Sequence, residues 1–232
     1  MKTRAALALG FLLASGAALA TPSQIAAEYK LTFTGITIGH VSETYARTGD
    51  TYAIRSVARA EGPLRIFLDD QLTLQSSGRV VAAGLQPLEF EQHRANSSKG
   101  AVQATFDWAK GVMLSEEDGK RSETPLPDHT QDRISVMYQF MNLKAADPTV
   151  AMHMSNGRKV ELYTYRLVDE PRIATPAGEF DTLHYERVTA GPRESKAQVW
   201  LAKDRFNFPV RVEFVDPKGF RVEQTLVGLT AR

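Results

Sequence analysis

The sequence contains no cysteine. This excludes disulfide bonds, thiol catalysis and thiolate metal sites, and it also excludes a lipid anchor attached through a cysteine. In an oxidising compartment the stability of such a chain depends on packing alone.

Long apolar runs are missing as well. The stretch from Ala5 to Leu13 is too short to span a bilayer, but it follows the basic residues Lys2 and Arg4 and precedes Ala18-Leu19-Ala20, a small-x-small cleavage pattern. This order predicts a signal peptide over residues 1–20 and a single β-rich domain over residues 21–232. A buried N-terminal helix is the alternative, but Thr21-Pro22-Ser23 would break it. We therefore expect an exported, periplasmic protein that is not a lipoprotein and has no transmembrane segment in its mature chain.

An excess of charge of one sign is lacking, because the formal net charge of the whole chain is +1. Nucleic acids and anionic membrane surfaces attract proteins with a strongly basic patch or run. The composition therefore predicts no nucleic-acid partner.

The common catalytic and cofactor motifs are absent. The chain has neither a G-x-S-x-G nucleophile elbow nor a glycine-rich phosphate loop, and its histidines are dispersed without metal-ligand spacing: His40, His93, His129, His153 and His184. We therefore predict no catalytic residue, no metal and no cofactor. His184 and Glu186 could form an acid–base pair on one strand face, although a polar outer surface is the favoured interpretation.

Alternation of apolar and polar residues is the dominant pattern. Phe208, Val210, Val212 and Phe214 alternate with the residues between them, as expected of a strand with one buried face. Similar alternation occurs in residues 29–34, 51–60, 85–94, 101–108, 159–168, 180–188, 196–201 and 220–227. Glycine-containing turn sequences such as Ser77-Gly78-Arg79 and Asp118-Gly119-Lys120 separate the runs. The pattern predicts a mainly all-β fold, a curved antiparallel sheet of roughly ten strands that is open or closed like a barrel.

One segment has a helical pattern instead. Between Asp132 and Leu143 the apolar residues follow helical spacing around most of the circumference, which predicts one buried helix against the concave side of the sheet. The Asp132 carboxylate can accept the amide of Ser135 as an N-cap. The preceding polar, proline-bearing residues 116–131 are interpreted as a surface crossing between two halves of one sheet.

Several short elements, in order along the mature chain, resemble a proteobacterial family catalogued as domain of unknown function 3108. They are Tyr29…Gly35…Gly39, Gly84-Leu85-Gln86-Pro87, Phe106-Asp107-Trp108, Pro127 to Asp132 followed by Ser135, Thr175 to Thr182, Val199 to Ala202 and Phe208 to Arg211. The resemblance implies a periplasmic all-β fold, with no established reaction and no site residues to transfer. At the level of fold alone, the chain is also similar to the open-barrel lipoprotein carriers of the periplasm.

Aromatic residues provide the remaining functional signal. Large aromatic side chains on a concave sheet can bind an acyl chain or a sugar ring, and ordinary core packing is the alternative explanation. The candidate ligand-binding residues are Phe106, Trp108, Tyr163, Tyr165 and Trp200. They favour a binding or carrier module for an apolar or amphipathic envelope ligand such as a lipid. The alternatives are an envelope assembly protein that binds a protein partner at a sheet edge or loop, and a hydrolase of an envelope polymer, which would require a buried polar cluster.

Overall fold

The computed structural model describes residues 22–61, 71–95, 100–143 and 146–232. Residues 1–21, and with them the predicted signal peptide, lie outside the described residues. Among the described residues, no helix has the length and apolar character needed to cross a bilayer. The elements are β1 (Gln24–Phe33), β2 (Ile36–Thr48), β3 (Thr51–Ala60), β4 (Gln71–Val81), β5 (Gly84–Arg94), β6 (Val102–Asp107), β7 (Val112–Glu117), β8 (Lys120–Pro125), β9 (Gln131–Asp132), α1 (Ser135–Gln139), β10 (Thr149–Ser155), β11 (Val160–Asp169), β12 (Arg172–Thr175), β13 (Gly178–Arg187), β14 (Lys196–Ala202), β15 (Phe208–Val215) and β16 (Arg221–Ala231).

The strands form one open sheet, mainly of antiparallel neighbours. Its order is β8-β7-β6-β5-β4-β3-β2-β1-β16-β15-β14-β13-β11-β10-β9, and β12 pairs with β13 beside this path. Strands β1 and β16 pair near the middle of the order, so both ends of the described chain lie in the centre of the sheet. The parallel pair β9–β10 is the exception to the antiparallel pattern.

The prediction of a mainly β fold with one curved antiparallel sheet and one buried helix is confirmed, but the prediction of roughly ten strands is wrong, because the described residues form sixteen. Strand β8 was missed because four of its first five residues are exposed on both faces, so the sequence has no alternation there. The interpretation of residues 116–131 as a surface crossing therefore fails over Lys120–Pro125. It also fails at Leu126 and Thr130, which are buried.

Strand β4 was missed for a different reason. Ser77-Gly78-Arg79 reads as a turn, but these residues lie inside β4 at an irregularity in its pairing with β5. Any side chain at position 78 would collide with the backbone carbonyl of Gln86. Glycine is therefore required here by close approach of two strands and does not mark a reversal.

The helix is shorter than predicted. Five residues form α1, and Phe140–Asn142 continue it as a 3-10 turn. The Asp132 carboxylate does accept the Ser135 amide, at 2.9 Å, together with the amide of Ile134 at 3.0 Å. Val136, Tyr138 and Phe140 are fully buried against the sheet, so the helix packs on the inner face as its apolar circumference indicates.

The two ends of the sheet, β7–β8 and β9–β10, are connected more by side-chain contacts than by backbone hydrogen bonds between strands. Arg158, in the turn after β10, binds Glu117 of β7 through two contacts of 2.7 and 2.5 Å. Ser155 Oγ lies 3.0 Å from Met113 Sδ. These contacts bring β7 and β10 together, so the sheet wraps around α1 and has a distinct inner and outer face.

Candidate functional site

The inner face has two different ends. We name the end where β1 finishes the Phe33 end, and the opposite end, where α1 approaches the β4–β5 turn, the helix end. At the helix end, Gln139 accepts a hydrogen bond from the Leu85 amide at 3.0 Å and donates one to the Ala83 carbonyl at 2.8 Å. The helix is thereby fixed at one end of the sheet.

The helix end is filled with aromatic side chains. The Tyr138 ring stacks on Tyr45 at a centroid distance of 5.0 Å and meets the edge of Phe208 at 6.0 Å. A cavity of about 40 Å³ between Tyr45, Tyr138 and Met141 remains, which is room for about one water molecule. No ligand of useful size fits at this end.

The Phe33 end presents apolar side chains to solvent. Ile36 of β2 pairs with Phe33 of β1, Phe33 pairs with Val222 of β16, and Val222 pairs with Phe214 of β15. Residues that are directly paired on neighbouring strands lie on the same face of the sheet. Phe214 pairs in turn with Ala197 of β14, which continues this row of paired residues and lies in the buried core. The row is therefore on the inner face. We name the set of Ile36, Phe33, Val222, Phe214 and the adjoining Phe220 the apolar rim; their exposed fractions are 66, 37, 37, 44 and 49 %.

Behind the apolar rim, further inward-facing apolar residues remain partly exposed. Leu31, two residues before Phe33, pairs with Gln224, and Gln224 pairs with Val212. On the neighbouring strands the partly exposed inward residues are Ala58, Leu72 and Leu74. We name Leu31, Val212, Ala58, Leu72 and Leu74 the inner recess. All five residues are partly exposed, so solvent reaches the inner face behind the apolar rim.

Glu43 contributes a carboxylate to the same inner face. It pairs with the buried residues Ala27 and Ser56. The hydroxyl groups of Tyr138 and Ser56 lie beside the carboxylate and favour its charged form, but burial outweighs them and raises the pKa of Glu43. Burial and the Glu43 charge likewise raise the pKa of Tyr138, whose hydroxyl faces Glu43 without a hydrogen bond of ordinary geometry.

Arg133, just before α1, places a cation at the Phe33 end. Its guanidinium donates a hydrogen bond of 2.9 Å to Oε1 of Gln92, a buried residue of β5. Burial, together with the charges of Arg94 and Arg158, lowers the pKa of Arg133, although much of its side chain is open to solvent.

A buried polar cluster lies deeper, beneath α1. Ser76 Oγ donates to Asp132 Oδ2 at 2.5 Å, and the Tyr52 hydroxyl lies 3.0 Å from Ser76 Oγ. Burial raises the pKa of Asp132 against the opposing effect of its hydrogen bonds. Because the Asp132 carboxylate already accepts the two helix amides and Ser76, the cluster anchors the crossing segment to β4.

The predicted ligand-binding aromatics on β6 and β11 occupy separate parts of the core. Phe106 is buried and stacks on Trp108, whose Nε1 donates to the Pro87 carbonyl at 2.7 Å. Tyr165 packs edge-on against Phe140, whereas the ring of Tyr163 lies under the Arg187 guanidinium at 4.1 Å. Tyr163 is partly exposed, whereas Phe106 and Tyr165 are buried.

Trp200, the fifth predicted residue, lies on the outer face. Its indole stacks on the His184 ring at 4.3 Å, and the Arg211 guanidinium lies 5.6 Å above it. His184 Nδ1 is 2.7 Å from Asp169 Oδ1 and its Nε2 is 2.8 Å from Gln198 Oε1. His184 is thus held by Asp169 and Gln198, and the structure does not pair it with Glu186.

The outer face lacks the features of a small-molecule site. An open groove of about 590 Å³ crosses the outer face of β2–β6, but its lining is polar and of mixed charge, with Arg55, Gln75, Glu89 and Glu91. Within the described ranges, no three histidine or carboxylate side chains are arranged to hold a metal ion.

Sequence reasoning missed the residues that distinguish the Phe33 end. Phe33 and Phe214 were recognised as the apolar positions of strands, but no local pattern indicates that the apolar face stays uncovered there. Glu43 gave a detectable signal, since it interrupts the inward positions Val41 and Tyr45 with a charge. Arg133 gave none, because a single arginine before a helix is ordinary.

Comparison with known proteins gives distant similarities in structure. A candidate lipoprotein from Parabacteroides distasonis has a TM-score of 0.34 and 11% identity, covering 90% of this chain and 96% of that one. A candidate exported protein with a YmcC-like fold from Bacteroides fragilis has a TM-score of 0.33, with the same identity and coverage. A candidate outer-membrane lipoprotein-sorting domain from Vibrio parahaemolyticus has a TM-score of 0.28 and 11% identity, covering 90% and 86% of the two chains.

No curated protein matches the sequence significantly. A family model does match, over residues 28–226, and its description is a protein of unknown function, DUF3108. The match includes nearly all of the sheet and α1. The chain therefore belongs to the DUF3108 family.

Proposed function

We propose that this protein is a binding or carrier module of the cell envelope, exported to the periplasm, which holds an apolar or amphipathic ligand in the inner recess. The observation that supports the proposal is the row Ile36, Phe33, Val222 and Phe214, a continuous apolar edge of the inner face that is open to solvent. Contiguous exposed apolar surface is unusual on a protein that has no partner for it.

The dimensions of the inner recess suit an extended alkyl chain. Phe33 and the buried Tyr29 are four residues apart on β1, and a strand rises about 3.3 Å per residue, so roughly 13 Å of inner face separates the apolar rim from the core. Each methylene removed from water contributes about 0.8 kcal/mol. A chain segment of several methylenes would therefore bind with useful affinity without any charged contact.

Because the helix end is filled, a ligand can reach the inner recess from the Phe33 end. Because Tyr45, Tyr138 and Phe208 pack together at the helix end, a ligand would enter and leave at the Phe33 end and would stop against α1. A change in α1 is not required for binding.

The assembly alternative has weaker support. A partner strand would be expected to add at β8, which lies at an edge of the sheet and pairs with β7 among the described strands. This strand carries Lys120, Arg121 and Pro125, which are residues that discourage the addition of another strand at a sheet edge.

A fluorescence titration tests the proposal. The probe is N-phenyl-1-naphthylamine, an uncharged apolar dye that brightens on leaving water. The variants are Phe214→Asp in the apolar rim and Leu114→Asp on the outer side of β7, which are matched because both side chains are 44 % exposed. We expect saturable binding to the wild type, at least a fivefold loss of affinity in Phe214→Asp, and no loss in Leu114→Asp.

Circular dichroism and thermal midpoints of both variants serve as folding controls. The absence of saturable binding to the wild type, or equal losses in the two variants, would refute the proposal. Native mass spectrometry after gentle purification provides a separate readout, in which we expect a fraction of the protein to retain a lipid-sized mass.

A further inference from the structure

The Phe33 end has two walls of different chemistry. The wall made by β1, β2, β15 and β16 carries the apolar rim. On the other wall, the segment before α1 carries Arg133, and Arg94 at the end of β5 and Arg158 after β10 are the cations that act on it. A ligand between these walls meets apolar surface on one side and positive charge on the other.

Arg133 is the cation best suited to a ligand. Arg158 already binds both carboxylate oxygens of Glu117. Arg133 donates one hydrogen bond to the neutral amide of Gln92, and its guanidinium has no carboxylate partner among the described residues. A guanidinium has five N–H donors in a planar fork, so most of its capacity is left for an oxyanion.

The charge of Arg133 favours an anionic ligand. Its guanidinium has no carboxylate partner among the described residues, so it attracts an anion and can form a charge-assisted hydrogen bond with it. A neutral head group gains less there, because its oxygen carries no charge to pair with the guanidinium.

We propose that Arg133 binds the anionic head group of a single-chain amphiphile whose alkyl chain lies in the inner recess. This inference rests on the proposed function and adds the chemical class of the ligand: a chain of fatty-acid type that ends in a carboxylate or comparable oxyanion. The geometry assigns the head group to the wall of Arg133 and the chain to the wall of Phe33 and Leu31.

Competition between two ligands of equal chain length tests the inference. Dodecanoate and dodecan-1-ol are each used to displace N-phenyl-1-naphthylamine from the wild-type protein, below the concentrations at which they form micelles. We expect dodecanoate to displace the probe at about a tenfold lower concentration, since a hydrogen bond to a charged group is typically worth that factor or more.

The variant Arg133→Gln should remove this preference. We expect its affinity for dodecanoate to fall about tenfold and its affinity for dodecan-1-ol to stay unchanged, whereas Arg133→Lys keeps part of the preference because it retains the charge. The matched control is Arg55→Gln, on the outer face of β3, which should behave as wild type. The dodecan-1-ol affinity also shows that the recess has kept its structure in each variant.

The outcomes separate the two proposals. If the wild type binds the probe but does not distinguish dodecanoate from dodecan-1-ol, the head-group assignment is wrong and the proposed function stands. If the probe, dodecanoate and dodecan-1-ol all fail to bind, the proposed function itself is wrong. If light scattering shows a dimer that Phe214→Asp dissociates, a second copy of the chain occupies the apolar rim and the assignment is likewise overturned.

Discussion

Ser76 on β4 donates a hydrogen bond of 2.5 Å to Asp132 on β9, although the two strands are far apart in the order of the sheet. The bond crosses the interior of the fold and ties the segment that carries α1 and Arg133 to the first half of the sheet. The position of this segment decides which end of the inner face is filled and which stays open.

Asp132→Ala should destabilise the protein by about 3 kcal/mol or more. The substitution leaves the amides of Ile134 and Ser135 and the hydroxyl of Ser76 without their acceptor, and each buried unsatisfied group costs about 1–3 kcal/mol. Urea denaturation followed by tryptophan fluorescence measures the loss. The exposed residue Asp128 in the same segment provides the control Asp128→Ala, for which we expect a change within about 0.5 kcal/mol. Equal midpoints for the two variants would contradict the anchoring role.

Glu43→Gln should stabilise the protein at neutral pH. Because burial raises the pKa of Glu43 above its ordinary value of 4.5, the folded state holds this proton more tightly than the unfolded state. The cost of charging Glu43 is therefore absent below about pH 4.5, and it grows as the pH rises towards the raised pKa of the folded state.

Thermal midpoints at pH 4, 5.5 and 7 measure this effect. We expect the difference between Glu43→Gln and wild type to be largest at pH 7 and to shrink towards pH 4. Glu89→Gln, on the outer face, controls for the loss of one negative charge. A difference for Glu43→Gln that does not change with pH would contradict the environment described for Glu43.

Trp200→Ala should lower stability and leave ligand affinity unchanged. The substitution removes the stack with His184 and the contact with Arg211 on the outer face, for which we expect a cost of about 1–3 kcal/mol. Trp200→Phe keeps an aromatic ring and should cost less. Urea denaturation and the N-phenyl-1-naphthylamine titration are performed on the same samples. If Trp200→Ala loses probe affinity while its stability is unchanged, the ligand binds on the outer face.

Gly157→Ala should be more harmful than Gly111→Ala. Both glycines have positive φ, 85° and 67°, so both substitutions incur the cost of a left-handed residue, about 1–2 kcal/mol. A Cβ at position 157 would also lie 2.8 Å from Cγ1 of Val102 and 3.0 Å from Cε1 of Phe90, whereas nothing lies within 4 Å of one at position 111. The unfolding free energies of the two variants are compared by urea denaturation. A larger loss in Gly157→Ala shows that the turn after β10 packs tightly against β5 and β6, and equal losses in the two variants would contradict that packing.

The prediction of β structure succeeded where a strand has one buried face. Val212 and Phe214 pair with the inward residues Val199 and Ala197, and the short α1 lies in the one segment with helical spacing. It failed where burial does not alternate: β8 is exposed on most positions, and β4 contains Gly78 for a reason that depends on the neighbouring strand. Those two strands account for only part of the error in the number of strands.

The candidate site was less accessible to prediction. The five aromatic residues chosen from the sequence were grouped by strand face, but strand faces do not reveal which strands are neighbours across the interior. Tyr163 and Tyr165 belong to one cluster, Phe106 and Trp108 belong to another, and Trp200 lies on the outer face of β14. Their role in ligand binding stays a prediction that the titrations above can test.

The sequence by itself determined which side chains each strand turns inward, because alternation along a strand is a local property. It also excluded thiol chemistry through the absence of cysteine. Only the tertiary structure decided that Phe208 is covered by Tyr138 while Phe214, on the same strand, stays open to solvent. The physical reason is that α1 is too short to fill the whole interior, and Ser76, Gln92 and Leu85, residues distant in sequence, fix where it lies.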